Sequence, residues 1–204
     1  MRSGQLFFAR PGLCLMYAKR WLSLDASNQF MKILASDLDW VQGSLQIFGR
    51  TIPEPRLTAW CGDVDYIYSR RRLEATSWHP QLKSLRSRLE FECHQFGLSP
   101  PDGLNHCLLN YYRGGSDSMG WHRDNEPELG QDPVIVSVSL GAGRRFSLRP
   151  RQKSNQSTLQ FELGCGDLLV MYGRTQSDWE HALMKTSKSI GPRINLTFRS
   201  VVGK

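Results

Sequence analysis

Cysteine is scarce in this chain and never clustered. The five cysteines among 204 residues, Cys14, Cys61, Cys93, Cys107 and Cys165, are odd in number, and no C-x-x-C occurs. That argues against a secreted disulfide framework and favours a reducing compartment. Cys93-His94 and His106-Cys107 together resemble a zinc set, but adjacent residues seldom ligate one ion, and Cys93 reads as helical, so zinc is set aside. Long apolar runs are also missing. The stretch FFARPGLCLMYAKRW is broken by Arg10, Pro11 and Lys19. It is no membrane span and a poor signal peptide. A soluble intracellular protein is expected, cytoplasmic in a bacterium and nuclear in a eukaryote. Acids are the minority charge: 19 Asp+Glu against 26 Lys+Arg leave a net +7, which suits a polyanionic partner. There is no internal repeat or low-complexity segment.

Apolar residues are plentiful enough, at 40%, for a real core, and the length suits one domain. Residues 25–37 have helical spacing. Ser44 to Phe48 and Leu57 to Tyr68 contain short strand-like runs. Trp78 to Phe96 reads as an amphipathic helix with Pro80 in its first turn, a Leu82, Leu85, Leu89 stripe and Gly97 as its stop. Its Lys83, Arg86 and Arg88 read as a solvated face. After Pro101 the texture turns to strands: 106–113, 134–140, 145–148, 157–163, 167–172 and 193–201, separated by Gly-rich turns. The expected class is α+β with a jelly-roll core. Residues 1–40 are read as a covering extension with helix, 41–101 as a lid and supporting helix, and 102–204 as the core. Nothing demands more than a monomer.

The segment MGWHRDNEPE places His122 and Asp124 two residues apart, on one face of a strand. They read either as an ordinary hydrogen-bonded pair or as two ligands of a metal. His181, in DWEH, is the natural third ligand. Two His and one carboxylate occupy one face of an octahedral ion and leave three positions open. Downstream, RINLTFR alternates fully: Arg193, Asn195, Thr197 and Arg199 share one face, and Ile194, Leu196 and Phe198 the other. The polar face meets either water or a polar pocket, and guanidinium forks there would suit carboxylates. Asn110 and Tyr112 are a second same-face pair able to donate to a carboxylate.

Together, N-x-Y, H-x-D, a distant His and R-x-N-x-T-x-R resemble the AlkB-type Fe(II)/2-oxoglutarate dioxygenases across residues 44–201. The resemblance is closest to the branch whose vertebrate member repairs duplex DNA. It implies a double-stranded β-helix in which His122, Asp124 and His181 hold ferrous iron. It further implies that 2-oxoglutarate is held by Asn110, Tyr112, Arg193 and Arg199, with Asn195 and Thr197 on the same wall. Arg193 would take the distal carboxylate and Arg199 would lie nearer the metal. The implied reaction consumes O2 and 2-oxoglutarate, hydroxylates an N-methyl group of a DNA base, and releases formaldehyde.

On the substrate side, the resemblance assigns Tyr66 and Tyr68 to the base pocket; packing on the core is the alternative. Phe48, in Gln46-Ile47-Phe48-Gly49-Arg50, matches a wedge that fills the gap left by a flipped base; a plain turn residue is its alternative. Arg56 matches a substrate-lid arginine. Asn125 and Glu126 fall at the base pocket, where a carboxylate would favour cationic bases such as 1-methyladenine and 3-methylcytosine. Close relatives usually carry an acid at the Asn125 position, so Glu126 is left to supply that charge. Lys185 and Lys188 are split by Thr186-Ser187, where the duplex-binding branch has a tight basic cluster. The basic run 144–153 could compensate. Methylated DNA, preferably duplex, is the expected partner, with RNA as an alternative. The rival functions are the same chemistry on RNA or protein side chains, and a silent nucleic-acid-binding module.

Overall fold

The computed structural model describes residues 5–47, 49–68, 71–152 and 156–202. Pro11 and Gly12, the latter at φ +73, turn β1 (Gln5–Arg10) back onto β2 (Leu13–Ala18). This hairpin departs from the expected covering extension, because β2 joins the main sheet. The sequence hid it: LCLMYA is buried on both faces, so it shows an unbroken apolar run instead of strand alternation. A single helix, α1 (Leu24–Asp37), follows before the lid region. Ser23 caps it by accepting from the Ala26 N–H at 3.2 Å.

Two small hairpins come next, β3 (Ser44–Ile47) with β4 (Arg50–Pro53), and β6 (Tyr66–Tyr68) with β7 (Arg71–Leu73). Between them runs β5 (Leu57–Gly62). Helix α2 (Pro80–Gln95) starts two residues later than the apolar pattern suggested, because Pro80 takes the first helical position and His79 the cap. Its Arg86 and Arg88 are engaged with the protein: Arg86 pairs with Asp63 at 2.7 Å and Glu90 at 3.2 Å, and Arg88 lies 4.9 Å above the Trp21 ring.

The remaining elements are β8 (His106–Tyr112), β9 (Met119–His122), β10 (Ile135–Gly141), β11 (Arg144–Pro150), β12 (Leu159–Leu163), β13 (Leu168–Tyr172), α3 (Thr175–Asp178), β14 (Trp179–Leu183) and β15 (Arg193–Arg199). They complete two antiparallel sheets, ordered β1-β2-β13-β10-β15-β8-β5 and β12-β11-β14-β9. The two sheets make a jelly-roll core.

Alternation divides the larger sheet. Val136, Val138 and Leu140 on β10, with Ile194, Leu196 and Phe198 on β15, join Leu34 of α1 and Leu82, Leu85 and Leu89 of α2 in one apolar core. Leu13, Leu15, Leu169 and Met171 face the other way and meet Leu148 and Trp179 of the smaller sheet. In the middle of that second face, β10, β15 and β8 are neighbours and turn polar residues inward instead. Ser139 pairs with Asn195 and Asn195 with Asn110, while Arg193 pairs with Tyr112.

One turn locks this arrangement. Gly166, at φ +82, bonds the Leu22 N–H through its carbonyl at 3.0 Å and donates its N–H to Ser139 at 2.8 Å. A Cβ here would run into the Leu22 carbonyl oxygen. Gly166→Ala is therefore expected to destabilise the protein by about 2–4 kcal/mol, combining left-handed strain with overpacking. Urea unfolding checks this, and a change within about 0.5 kcal/mol would contradict it.

Candidate active site

His122 ends β9, and His181 lies opposite it on β14 as its cross-strand partner. The two rings sit edge to face, 4.2 Å between centroids. Asp124 follows two residues past β9, buried to 1% exposure. One ligand atom from each of His122, Asp124 and His181 lies within 4.8 Å of the others. His122 Nδ1 is 2.8 Å from the Gly120 carbonyl. A carbonyl only accepts, so Nδ1 carries a proton; burial lowers the pKa of the ring, which favours the neutral form with the Nε2 lone pair free for a metal. Burial and then the neighbouring His122 push the His181 imidazolium down to about 3. His181 is therefore neutral at physiological pH, the form that ligates. Burial alone would raise the Asp124 carboxyl, but Arg199 and the two histidines hold it at about 2. Two neutral imidazoles and one carboxylate are a donor set that fits ferrous iron.

Arg199 reaches this cluster from the end of β15, its Nη2 donating to Asp124 Oδ1 at 2.8 Å. Its Nε and Nη1 are buried and have no partner among the described residues. Arg193, at the other end of the strand, is 2% exposed and donates from Nη2 to Ser139 at 2.8 Å and Asn195 at 2.6 Å. It lies 5.5 Å from the Tyr112 ring, and its Nε is also unpartnered. Both arginines line the cavity that holds the His–Asp–His cluster, with Asn110, Tyr112, Asn195 and Thr197. A buried guanidinium nitrogen with no acceptor is costly. Three of them around one cavity fit a dicarboxylate such as 2-oxoglutarate.

The substrate-side residues are distributed differently. Tyr68 lines the cavity, whereas Tyr66 is fully buried behind it, 4.8 Å from the His106 ring and 5.9 Å from the Arg199 guanidinium. Glu126 turns inward beside Tyr66, where burial and Asp124 raise its carboxyl above the usual range. Asn125 is exposed. Arg56 does not stand on a lid surface: it is 3% exposed, donates to Asn110 Oδ1 at 2.8 Å and pairs with Glu54 at 3.1 Å. That places it against the expected co-substrate residues. The β3–β4 hairpin is present, but Phe48 lies outside the described residues.

The basic run also resolves unevenly. Arg144 is buried and bonds the carbonyls of Gly114, Asp117 and Met184, so it is no phosphate contact. Arg149 pairs with Glu180 and lies 4.2 Å above Trp121, while Arg145 is exposed. Cavity residues absent from the sequence reading are Ser137, Met119, Phe146, Met171 and Leu183. Ser137, with Ser139 beside it, had a legible signal, since V-S-V-S-L alternates as RINLTFR does. The apolar ones had none, because any core residue looks the same.

The 2OG-Fe(II) oxygenase superfamily profile matches residues 14–199, from β2 to the end of β15. The human alpha-ketoglutarate-dependent dioxygenase alkB homolog 3 is 38% identical over 190 residues, covering 89% of this chain and 64% of its own length. The chain thus spans less than two thirds of that relative's length. The mouse DNA oxidative demethylase ALKBH2 is 32% identical over 187 residues, covering 86% of this chain and 75% of its own length. Identity is therefore higher to homolog 3 than to ALKBH2. The solved structure of OsALKBH1 superposes with a TM-score of 0.62 over 96% of this chain and 100% of its own, at 17% identity, a likeness of fold alone. With the profile crossing every strand that carries the cavity and these relatives beside it, the chain belongs to the AlkB family of the 2OG-Fe(II) oxygenase superfamily.

Proposed function

We propose that this chain is an iron- and 2-oxoglutarate-dependent dioxygenase that removes N-methyl groups from nucleobases in DNA. The observation that carries the reading is one cavity holding a His–Asp–His cluster beside two buried arginines with unpaired N–H groups. That ALKBH2 relatives are DNA oxidative demethylases supports DNA as the nucleic acid.

His122, Asp124 and His181 would hold the iron. Bound there, ferrous iron would supply the redox chemistry that couples cleavage of 2-oxoglutarate to succinate and carbon dioxide with transfer of one oxygen atom of O2 to the substrate's N–CH3 group. The resulting N-hydroxymethyl group loses formaldehyde: the C–N bond breaks with its electron pair left on the ring nitrogen, the hydroxyl proton passes to solvent, and a cationic base becomes neutral. Arg193, with Tyr112 and Asn195 around it, takes the distal carboxylate of the co-substrate. Arg199 lies at the metal end, where it also neutralises Asp124. Tyr68 offers the ring face against a flipped base, and Glu126, beside Tyr66 and within the field of Asp124, favours a cationic one.

The test is methyl loss from 1-methyladenine in matched single-stranded DNA, duplex DNA and RNA, with Fe(II), 2-oxoglutarate and ascorbate. Release of formaldehyde that disappears in His122→Ala is the expected result, and the ratio among the strands assigns the preferred substrate. Consumption of 2-oxoglutarate with no methyl loss on any strand would move the substrate to protein side chains. A separate prediction concerns Arg193. Arg193→Gln removes a charged donor to a carboxylate, worth about 1.5–3 kcal/mol. That is roughly 10–100-fold in affinity. Calorimetric titration of 2-oxoglutarate into the Co(II)-loaded protein under argon should show that loss, and unchanged affinity would remove Arg193 from the co-substrate site.

A further inference from the structure

Asp124 is held by two handles, and only one of them belongs to the cavity. It lies beyond the end of β9, in a stretch with no ladder to fix its backbone. Its side chain is set by Arg199. Its backbone N–H is buried and donates to Gln176 Oε1 at 2.9 Å, a contact spanning 52 residues. Gln176 is 1% exposed and does not line the cavity. The polarity of that bond is dictated by chemistry: a backbone N–H must see the amide oxygen, not its NH2. The other end of the amide confirms this orientation, since Nε2 reaches Met171 Sδ at 3.4 Å.

The support continues behind Gln176. Its neighbour Thr175, 1% exposed, accepts the Cys14 N–H at 2.9 Å, and its hydroxyl reaches the carbonyls of Tyr172 at 2.7 Å and Cys14 at 3.1 Å. The short helix α3 is thereby bolted to β2 and β13 of the larger sheet. The same helix leads directly into β14, which carries His181. Gln176 therefore spans from the segment that positions one ligand to the segment that positions another.

We infer that Gln176 is a positioning residue for the metal centre: by holding the Asp124 backbone it sets the distance between that carboxylate and His181. This rests on the reading of His122, Asp124 and His181 as the iron ligands. Gln176 makes no contact with substrate or co-substrate in this role. Groups that orient a metal ligand without touching the ion typically govern its affinity by 10–100-fold.

The experiment is a Co(II) titration of the full chain, followed by visible absorption, for wild type, Gln176→Leu and Gln176→Asn. Leu removes the acceptor and leaves the Asp124 N–H unpaired. Asn keeps the amide but withdraws it by one methylene. The expected result is a Kd raised about 10–100-fold for Gln176→Leu, a smaller rise for Gln176→Asn, and an altered absorption band, with far-UV circular dichroism unchanged. Wild-type affinity and an unchanged band in a folded Gln176→Leu protein would overturn the inference while leaving the metal site intact. If the Leu variant does not fold, wild-type affinity and band in Gln176→Asn overturn it in the same way. Absence of any Co(II) binding by wild type would instead overturn the metal reading on which the inference rests.

Discussion

The buried pair of Arg199 and Asp124, 2.8 Å apart and both almost fully shielded from water, is the interaction around which the site is organised. Burying a carboxylate alone is expensive, and burying a guanidinium alone equally so. Each makes the other tolerable. The pairing is incomplete: Arg199 still carries two nitrogens without a hydrogen-bond partner, and Arg193 at the far end of β15 carries one. The fold can carry that cost because the opposite face of β15, Ile194, Leu196 and Phe198, is locked into the apolar core with α1 and α2. The strand is rigid on one side so that it can be unsatisfied on the other. A ligand that brings carboxylates relieves the unpaired donors.

Around this strand the two sheets divide the labour. The larger one presents polar side chains from three adjacent strands, β10, β15 and β8, as a continuous wall. The smaller one brings His122 and His181 together as cross-strand partners on its edge strand β9 and its neighbour β14. Asp124 bridges the two, paired to the larger sheet through Arg199 and tied by its backbone to α3. The N-terminal hairpin takes part in this geometry, since β2 anchors Thr175 beside Gln176. Residues that look peripheral in the chain thus brace its centre.

The electrostatics of the cavity follow from the same arrangement. His181 stays neutral because burial and a second imidazole oppose its charging, and Asp124 stays ionised because cationic and imidazole neighbours outweigh its desolvation. Glu126 is the opposite case, pushed up by burial and by Asp124. Two carboxyl groups two residues apart are therefore driven in opposite directions, Asp124 toward the ionised form and Glu126 toward the neutral one.

Much of this was legible in the sequence wherever function imposed a period. H-x-D, N-x-Y and R-x-N-x-T-x-R are alternating patterns, and alternation maps directly onto the faces of strands, so the residues of the His–Asp–His cluster and of the arginine wall could be read from spacing and family resemblance. Helix α2 was legible through its leucine stripe and proline start. What the sequence concealed were features made by long-range packing. Strand β2 was hidden because burial on both faces erases alternation. Arg144 looked like part of a basic surface until three distant carbonyls claimed it. Tyr66 and Tyr68 looked equivalent, yet Tyr68 lines the cavity while Tyr66 packs against the His106 ring. Gln176 carried no local signal at all. The sequence by itself determined which residue types alternate on which strands, and hence the chemistry of the site. The tertiary structure alone decided which buried polar groups find partners, because that depends on segments 27 to 161 residues apart meeting where water is excluded.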